Sequence, residues 1–242
     1  MVESPLSHHT EPVSELSKWG ERAESIAASG RWAAANDRIK HVCAYPPGGE
    51  SWRMQVVASL CAANFAEYLA LKAAHADLHG ASSLIAWRAR NLLELSVWAV
   101  YCGKSVQNAQ RFFTDAGRDV LGLFDAFSKW IALSGREWSS NVAVDRAKAD
   151  LLGRAAARGI DSLDGSYKPV SAAAKEIGMG DPFLVFNKLL SKFAHPTAMQ
   201  VLAGPDDKKT ALQRDAFFYQ GCLFFVGAFE ELERQLSSNA KA

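Results

Sequence analysis

The chain has 242 residues, 49% of them hydrophobic, which suits one large domain or two small ones with a core of ordinary size. Its 27 lysines and arginines against 26 acids leave a formal net charge of +1. That balance excludes a histone-like protein or an acidic tail and confines any contact with nucleic acid or an anionic membrane to a local patch. No apolar run is expected to reach the ~18 to 20 residues that cross a bilayer, and MVESPLSHHTEP has no basic-then-apolar leader. The expectation is a cytoplasmic protein without a membrane partner.

In chain order the pattern is helical nearly throughout. After Thr10-Glu11-Pro12, a cap followed by a first-turn proline, Val13, Leu16, Trp19, Ala23, Ile26 and Ala27 share one face of a helix that ends at Gly30. A second segment carries Trp32, Ala35, Ile39 and Val42 up to Tyr45-Pro46-Pro47-Gly48-Gly49, which reads as a loop. This divides the chain into an N-terminal helix pair with its Pro/Gly loop, 1–49, and a helical bundle domain, 50–242. A helix over 50–79 stops at Gly80; the next, capped by Ser82 or Ser83, runs to Cys102 and halts at Gly103. Ser105 caps a stretch to Ser134 that Gly117 and Gly122 are placed to bend, and Asn141 caps a segment to Arg158 with a Schellman-type stop at Gly159-Ile160. A loop over 161–169 precedes a short helix over 171–177 that ends at Gly178. Asp181-Pro182 opens a helix that reaches His195 and is stopped by Pro196. The last helix spans Asp206 or Asp207 to about Leu236, with 237–242 frayed. Its segment 216–229 is apolar except for Gln220 and is expected at the bundle centre. Without period-2 alternation or an internal repeat, the predicted fold is all-α, an up-and-down helical bundle with an additional N-terminal helix pair.

Cys43, Cys61, Cys102 and Cys222 are scattered and read as buried small hydrophobes. His8-His9 and the His75/His79 pair lack a third ligand at a fitting position, so no metal and no cofactor is expected. Phosphate-loop, dinucleotide, nucleophile-elbow and His-Glu-x-x-His signatures are absent. The basic residues Arg146, Lys148, Arg154 and Arg158 alternate with acids and read as a solvated face.

Two helices carry candidate chemistry. At 100° per residue Arg90, Glu94 and Asn91 share a sector with Trp87, Trp98 and Tyr101, while apolar residues leave almost no wet face beyond Arg88 and Ser96. Glu94 is therefore expected to be buried or half-buried and paired with Arg90 one turn away. On the later helix Asn187, Lys188, Ser191, Lys192 and His195 fall in one arc. Phe183, Val185, Phe186, Leu189, Leu190, Phe193 and Ala194 occupy the packed half, with Leu184 out of place. Two readings stand side by side: a structural ion pair and a wet helix face, or a cleft where His195, Ser191 and a lysine confront Arg90 and Glu94 as an acid/base or anion-binding site.

The string Arg88-Ala89-Arg90-Asn91-Leu92-Leu93-Glu94, followed by Ala172-Ala173-Ala174-Lys175-Glu176-Ile177-Gly178 and Leu190-Ser191-Lys192-Phe193-Ala194-His195-Pro196-Thr197, resembles an uncharacterised bacterial helical family. Its pattern is Arg-x-x-x-Glu and later Ser-x-x-x-His-Pro; the resemblance spans roughly 55–235. A more distant likeness is to HEPN domains, helical bundles that often act as metal-independent ribonucleases in toxin and antiphage systems. Their signature is an arginine, four to six intervening residues, then a histidine. Here Leu190, Leu189 and Lys188 stand at those positions, which departs from the pattern. The resemblance implies His195, Glu94, Arg90, Ser191 and Lys192 as site residues, with RNA as partner and a stress or phage-defence role. The alternative is a non-enzymatic module for a small anionic ligand or a protein partner. As a mere register pin, the pair predicts that Glu94→Ala costs ~3 to 5 kcal/mol if Arg90 is left buried and unpaired. Trp19, Trp32 and Trp138 are candidates for a homodimer face.

Overall fold

A computed structural model describes residues 13–43, 49–133, 141–157, 159–160, 162–163, 167–195 and 207–239. Among them are nine helices and no strand: α1 (Val13–Ala28), α2 (Arg31–Cys43), α3 (Gly49–Ala76), α4 (Ser82–Lys104), α5 (Val106–Leu133), α6 (Asn141–Ala156), α7 (Val170–Glu176), α8 (Gly180–Ala194) and α9 (Asp207–Asn239). The all-α bundle is as expected. The Thr10/Pro12 cap, His8-His9, the stretch 44–48, Arg158, Trp138, Pro196 and Asp206 lie outside the described residues.

Local chemistry explains most helix ends. Ser105 Oγ accepts from the Asn108 backbone N–H at 3.1 Å and so caps α5. Gly159 closes α6 at φ 71, with Ile160 N–H on Ala155 O at 3.0 Å and Gly159 N–H on Ala156 O at 2.9 Å, the Schellman pair. Gly178, at φ 83, repeats the device after α7. The serine cap expected for α4 is not used. Extended Ala81 precedes the helix and offers its carbonyl to Leu84 N–H at 3.0 Å. Nor do the glycines interrupt α5: Gly117 is the seat of Leu163, whose Cδ1 would lie 2.9 Å from an added Cβ. α3 ends at Ala76, short of His79, and α9 continues beyond Leu236 to Asn239.

α4 and α9 form the centre. Eleven residues of α4 are buried, and Gly221 to Phe229 of α9 are buried without a break. Gly221 permits their close crossing, since a Cβ there would meet Leu71 and Leu92 side chains and lie 3.5 Å from the Ala89 Cα. Trp19, Ala23 and Ile26 of α1 enter the same core, and Trp32 of α2 stacks on Phe65 at 4.8 Å. Neither tryptophan is therefore a free dimer face. Cys61, Cys102 and Cys222 are buried free thiols, and burial pushes the first two up to about 12.

The segment Arg53–Ala76 of α3 is long and apolar enough, by length and composition alone, to cross a membrane, which corrects the expectation that no such run exists. Its charges are engaged within the bundle: Glu67 with Arg88 of α4 at 3.0 Å, Lys72 with Glu24 of α1 at 2.6 Å. Buried Arg214 of α9 holds the C-terminal end of the helix, donating to Ala74, His75 and Asp77 carbonyls at 3.3, 3.0 and 2.6 Å and also to Gly80 O. The Ala74 and His75 carbonyls, in the last turn of α3, have no partner further along the helix, so the guanidinium supplies what the helix end lacks. Arg214→Ala should lower stability by about 2 to 3 kcal/mol in urea denaturation, with part regained in Arg214→Lys. An unchanged midpoint contradicts this role.

Candidate functional site at the α4–α8 seam

The polar residues of α4 divide between two seams. Arg88 and Asn91 turn toward α3, where Glu67 accepts from Arg88 Nη1 at 3.1 and 3.0 Å and from Asn91 Nδ2 at 3.3 Å. Arg88 is thus a paired seam residue instead of a wet one, and Ser96 is fully buried with Oγ donating to Leu93 O at 2.8 Å. Both differ from the sequence expectation, because the wheel shows which residues share a face but not which neighbour covers it.

Arg90 and Glu94 turn toward α8. Arg90 Nε donates to Asn187 Oδ1 at 3.1 Å, Nη1 lies 3.3 Å from His195 Nε2, and Nη2 lies 3.0 Å from Glu94 Oε1. Ser191 Oγ donates to the same Asn187 oxygen at 3.5 Å. The structure thereby brings together Arg90, Glu94, Ser191 and His195, and Asn187 joins the two helices. Lys192 and Lys188 are exposed on the outer side of α8.

The cluster is half-buried at the surface instead of lying in a closed cleft: the side chains of Arg90 and Glu94 are 28% and 32% exposed, and His195 is exposed. α8 packs through Phe183, Phe186, Leu190 and Phe193, whereas Val185 and Leu189, expected in the packed half, are exposed.

His195 lies one residue past α8, at φ −116 and ψ 146. Its neighbour Pro196 is the cause, since the proline ring clashes with a helical preceding residue and drives it to the extended region. The ring therefore leaves the helical wheel and reaches Arg90 from the helix end. A guanidinium has no acceptor, so a hydrogen bond at this contact requires His195 Nε2 to accept, with the ring proton on Nδ1.

Sequence reasoning missed Tyr167, which lies between α6 and α7. The chain there is tied to α5: Asp115 Oδ2 accepts the Lys168 backbone N–H at 3.1 Å, and Arg118 Nε donates to Leu163 O at 3.2 Å. Lys168 Nζ sits 5.0 Å from the Tyr101 ring centre, two turns along α4 from Glu94. Tyr167 is about half exposed; burial, then the carboxylates of Asp119, Asp115 and Glu94, push its hydroxyl upward. No periodic signal marks such a loop residue.

Of the His75/His79 pair, His75 is engaged with the last helix. His75 Nε2 is 2.8 Å from Asp215 Oδ1 and its ring stacks on Phe218 at 4.1 Å. Among the described residues no group of three or more His, Cys, Asp or Glu side chains is arranged to hold a metal ion. No family model, curated protein or solved structure matches the chain.

Because Glu94 retains solvent, Glu94→Ala should cost only about 0.5 to 1 kcal/mol, well under the figure for a buried pair. Asn187→Ala should cost about 1 to 2 kcal/mol by removing the acceptor for Arg90 Nε and Ser191. Chemical denaturation of both variants checks the order; a larger loss for Glu94→Ala contradicts it.

Proposed function

We propose that the Arg90–Glu94–Asn187–Ser191–His195 cluster acts on RNA as a metal-independent ribonuclease site, in keeping with the HEPN-like resemblance and its stress or phage-defence setting. The observation that carries the reading is the 3.3 Å approach of Arg90 Nη1 to His195 Nε2. The arginine missing from the positions before His195 is supplied from α4.

In this reading His195 Nε2 takes the proton of a ribose 2′-hydroxyl as that oxygen bonds to phosphorus. The bond from phosphorus to the 5′-oxygen breaks, leaving a 2′,3′-cyclic phosphate, and the imidazolium returns the proton to the departing oxygen. Once charged, His195 repels the guanidinium, which frees Nη1 for the phosphorane oxygens. Glu94 offsets the second positive charge, and Asn187 keeps the guanidinium in plane. The exposed Lys188 and Lys192 serve flanking phosphates.

The engagement of all three guanidinium nitrogens within the fold favours a second reading, a non-enzymatic module. It predicts that an anion or nucleotide raises Tm without turnover.

The test is incubation of the purified protein with varied single-stranded RNAs in chelator. Cleavage leaving cyclic phosphate ends is expected, and His195→Ala and Arg90→Ala should each slow it by about 10²-fold or more while Lys148→Ala leaves it unchanged. An inert wild-type protein on all RNAs overturns the ribonuclease reading.

A further inference from the structure

The two halves of α5 are packed differently. Its buried residues, Ala109, Asp115 and Gly117, all lie in the first half, where Phe112 and Phe113 also pack on the core. Beyond Arg118 one side of the helix faces α6, with Leu121, Phe124, Ser128 and Ile131 half-buried and Lys148 paired to Asp125 at 2.8 Å. The adjoining side carries Val120, Leu123, Phe127, Trp130 and Leu133, exposed by 36%, 57%, 54%, 67% and 87%.

Val120, Leu123, Phe127 and Trp130 follow the three-then-four spacing of a helix-pairing seam, and Phe113 and Ala116 extend the same register backward. Ala116 and Ala126 share the sector, and Asp119, between Trp130 and Ala126, is the single acid that a second apolar helix meets there. Aromatic and branched side chains of this size exposed to this degree leave about 500 to 600 Å² of apolar surface per copy, at the upper end for a monomer. Covering it with an identical stripe buries roughly 1,100 Å² in total, above the ~1,000 Å² that a specific interface needs.

We infer that the second half of α5 is a homodimer interface, pairing with the α5 of a second copy about a two-fold axis through the Val120–Leu123–Phe127–Trp130–Leu133 stripe. A self-complementary stripe of one residue class suits such an axis, since the same patch serves both subunits. The inference does not depend on the ribonuclease reading.

Sedimentation equilibrium of the full chain at micromolar concentration should give twice its 26.3 kDa. Phe127→Glu and Trp130→Glu should each give the monomer with unchanged helicity, because a carboxylate in the seam is desolvated without a partner, whereas Phe127→Leu stays dimeric. A monomeric wild type overturns the inference, and its recovery on phosphatidylcholine vesicles would assign the stripe to a membrane instead. A dimer that survives both glutamate variants also overturns it. If either variant loses helicity, oxidative cross-linking of Ala126→Cys decides: a linked dimer at micromolar protein supports the seam, and none contradicts it.

Discussion

A guanidinium at a helix seam must find acceptors for its donors, and Arg90 is the residue through which that requirement orders the site. With eleven residues of α4 buried against the core, Arg90 has few directions open to it. It spans from its own helix, at Glu94, to Asn187 of α8 and to His195 just beyond it. Each acceptor is drawn from a different piece of local structure: one turn along α4, the middle of α8, and the extended residue that Pro196 enforces. The energetic worth of the cluster as a stabiliser is modest, because a third of it is in solvent. Its value is geometric, since it holds an imidazole nitrogen beside a cation.

The same economy of paired polar groups recurs around the bundle. Glu67 fastens α3 to α4, Arg214 satisfies the end of α3, and Asp115 with Arg118 ties Leu163 and Lys168 to α5. The last of these ties the chain on either side of Tyr167 to α5, so the position of a loop residue depends on a buried carboxylate on a different helix. Apolar packing sets where the helices lie; these ion pairs and carbonyl contacts set how their ends and edges are finished.

Much of this was legible in the residues themselves. Apolar periodicity placed the helices, glycine followed by a hydrophobe marked the end of α6, Gly178 marked that of α7, and Ser105 announced the start of α5. The arcs containing Arg90 and Glu94 and containing Asn187, Ser191 and His195 were also legible, since both follow from 100° per residue. What could not be read was coverage. A wheel cannot tell which neighbour occupies a face, so by itself it leaves Ser96 wet and Val185 and Leu189 packed. An apolar stripe ordinarily signals core, which is why the open face of α5 was not distinguished. Tyr167 depends on contacts between residues more than fifty positions apart, and no local pattern encodes those.

The central claim is that Arg90 donates to the Nε2 lone pair of a neutral His195. Nitrogen-15 NMR of the histidine rings at a pH where His195 is uncharged reads the tautomer directly. The account predicts the proton on Nδ1 in the wild-type protein, shifting toward the mixture of a free imidazole in Arg90→Gln. A protonated Nε2 in the wild-type protein, or identical spectra for the two proteins, contradicts it.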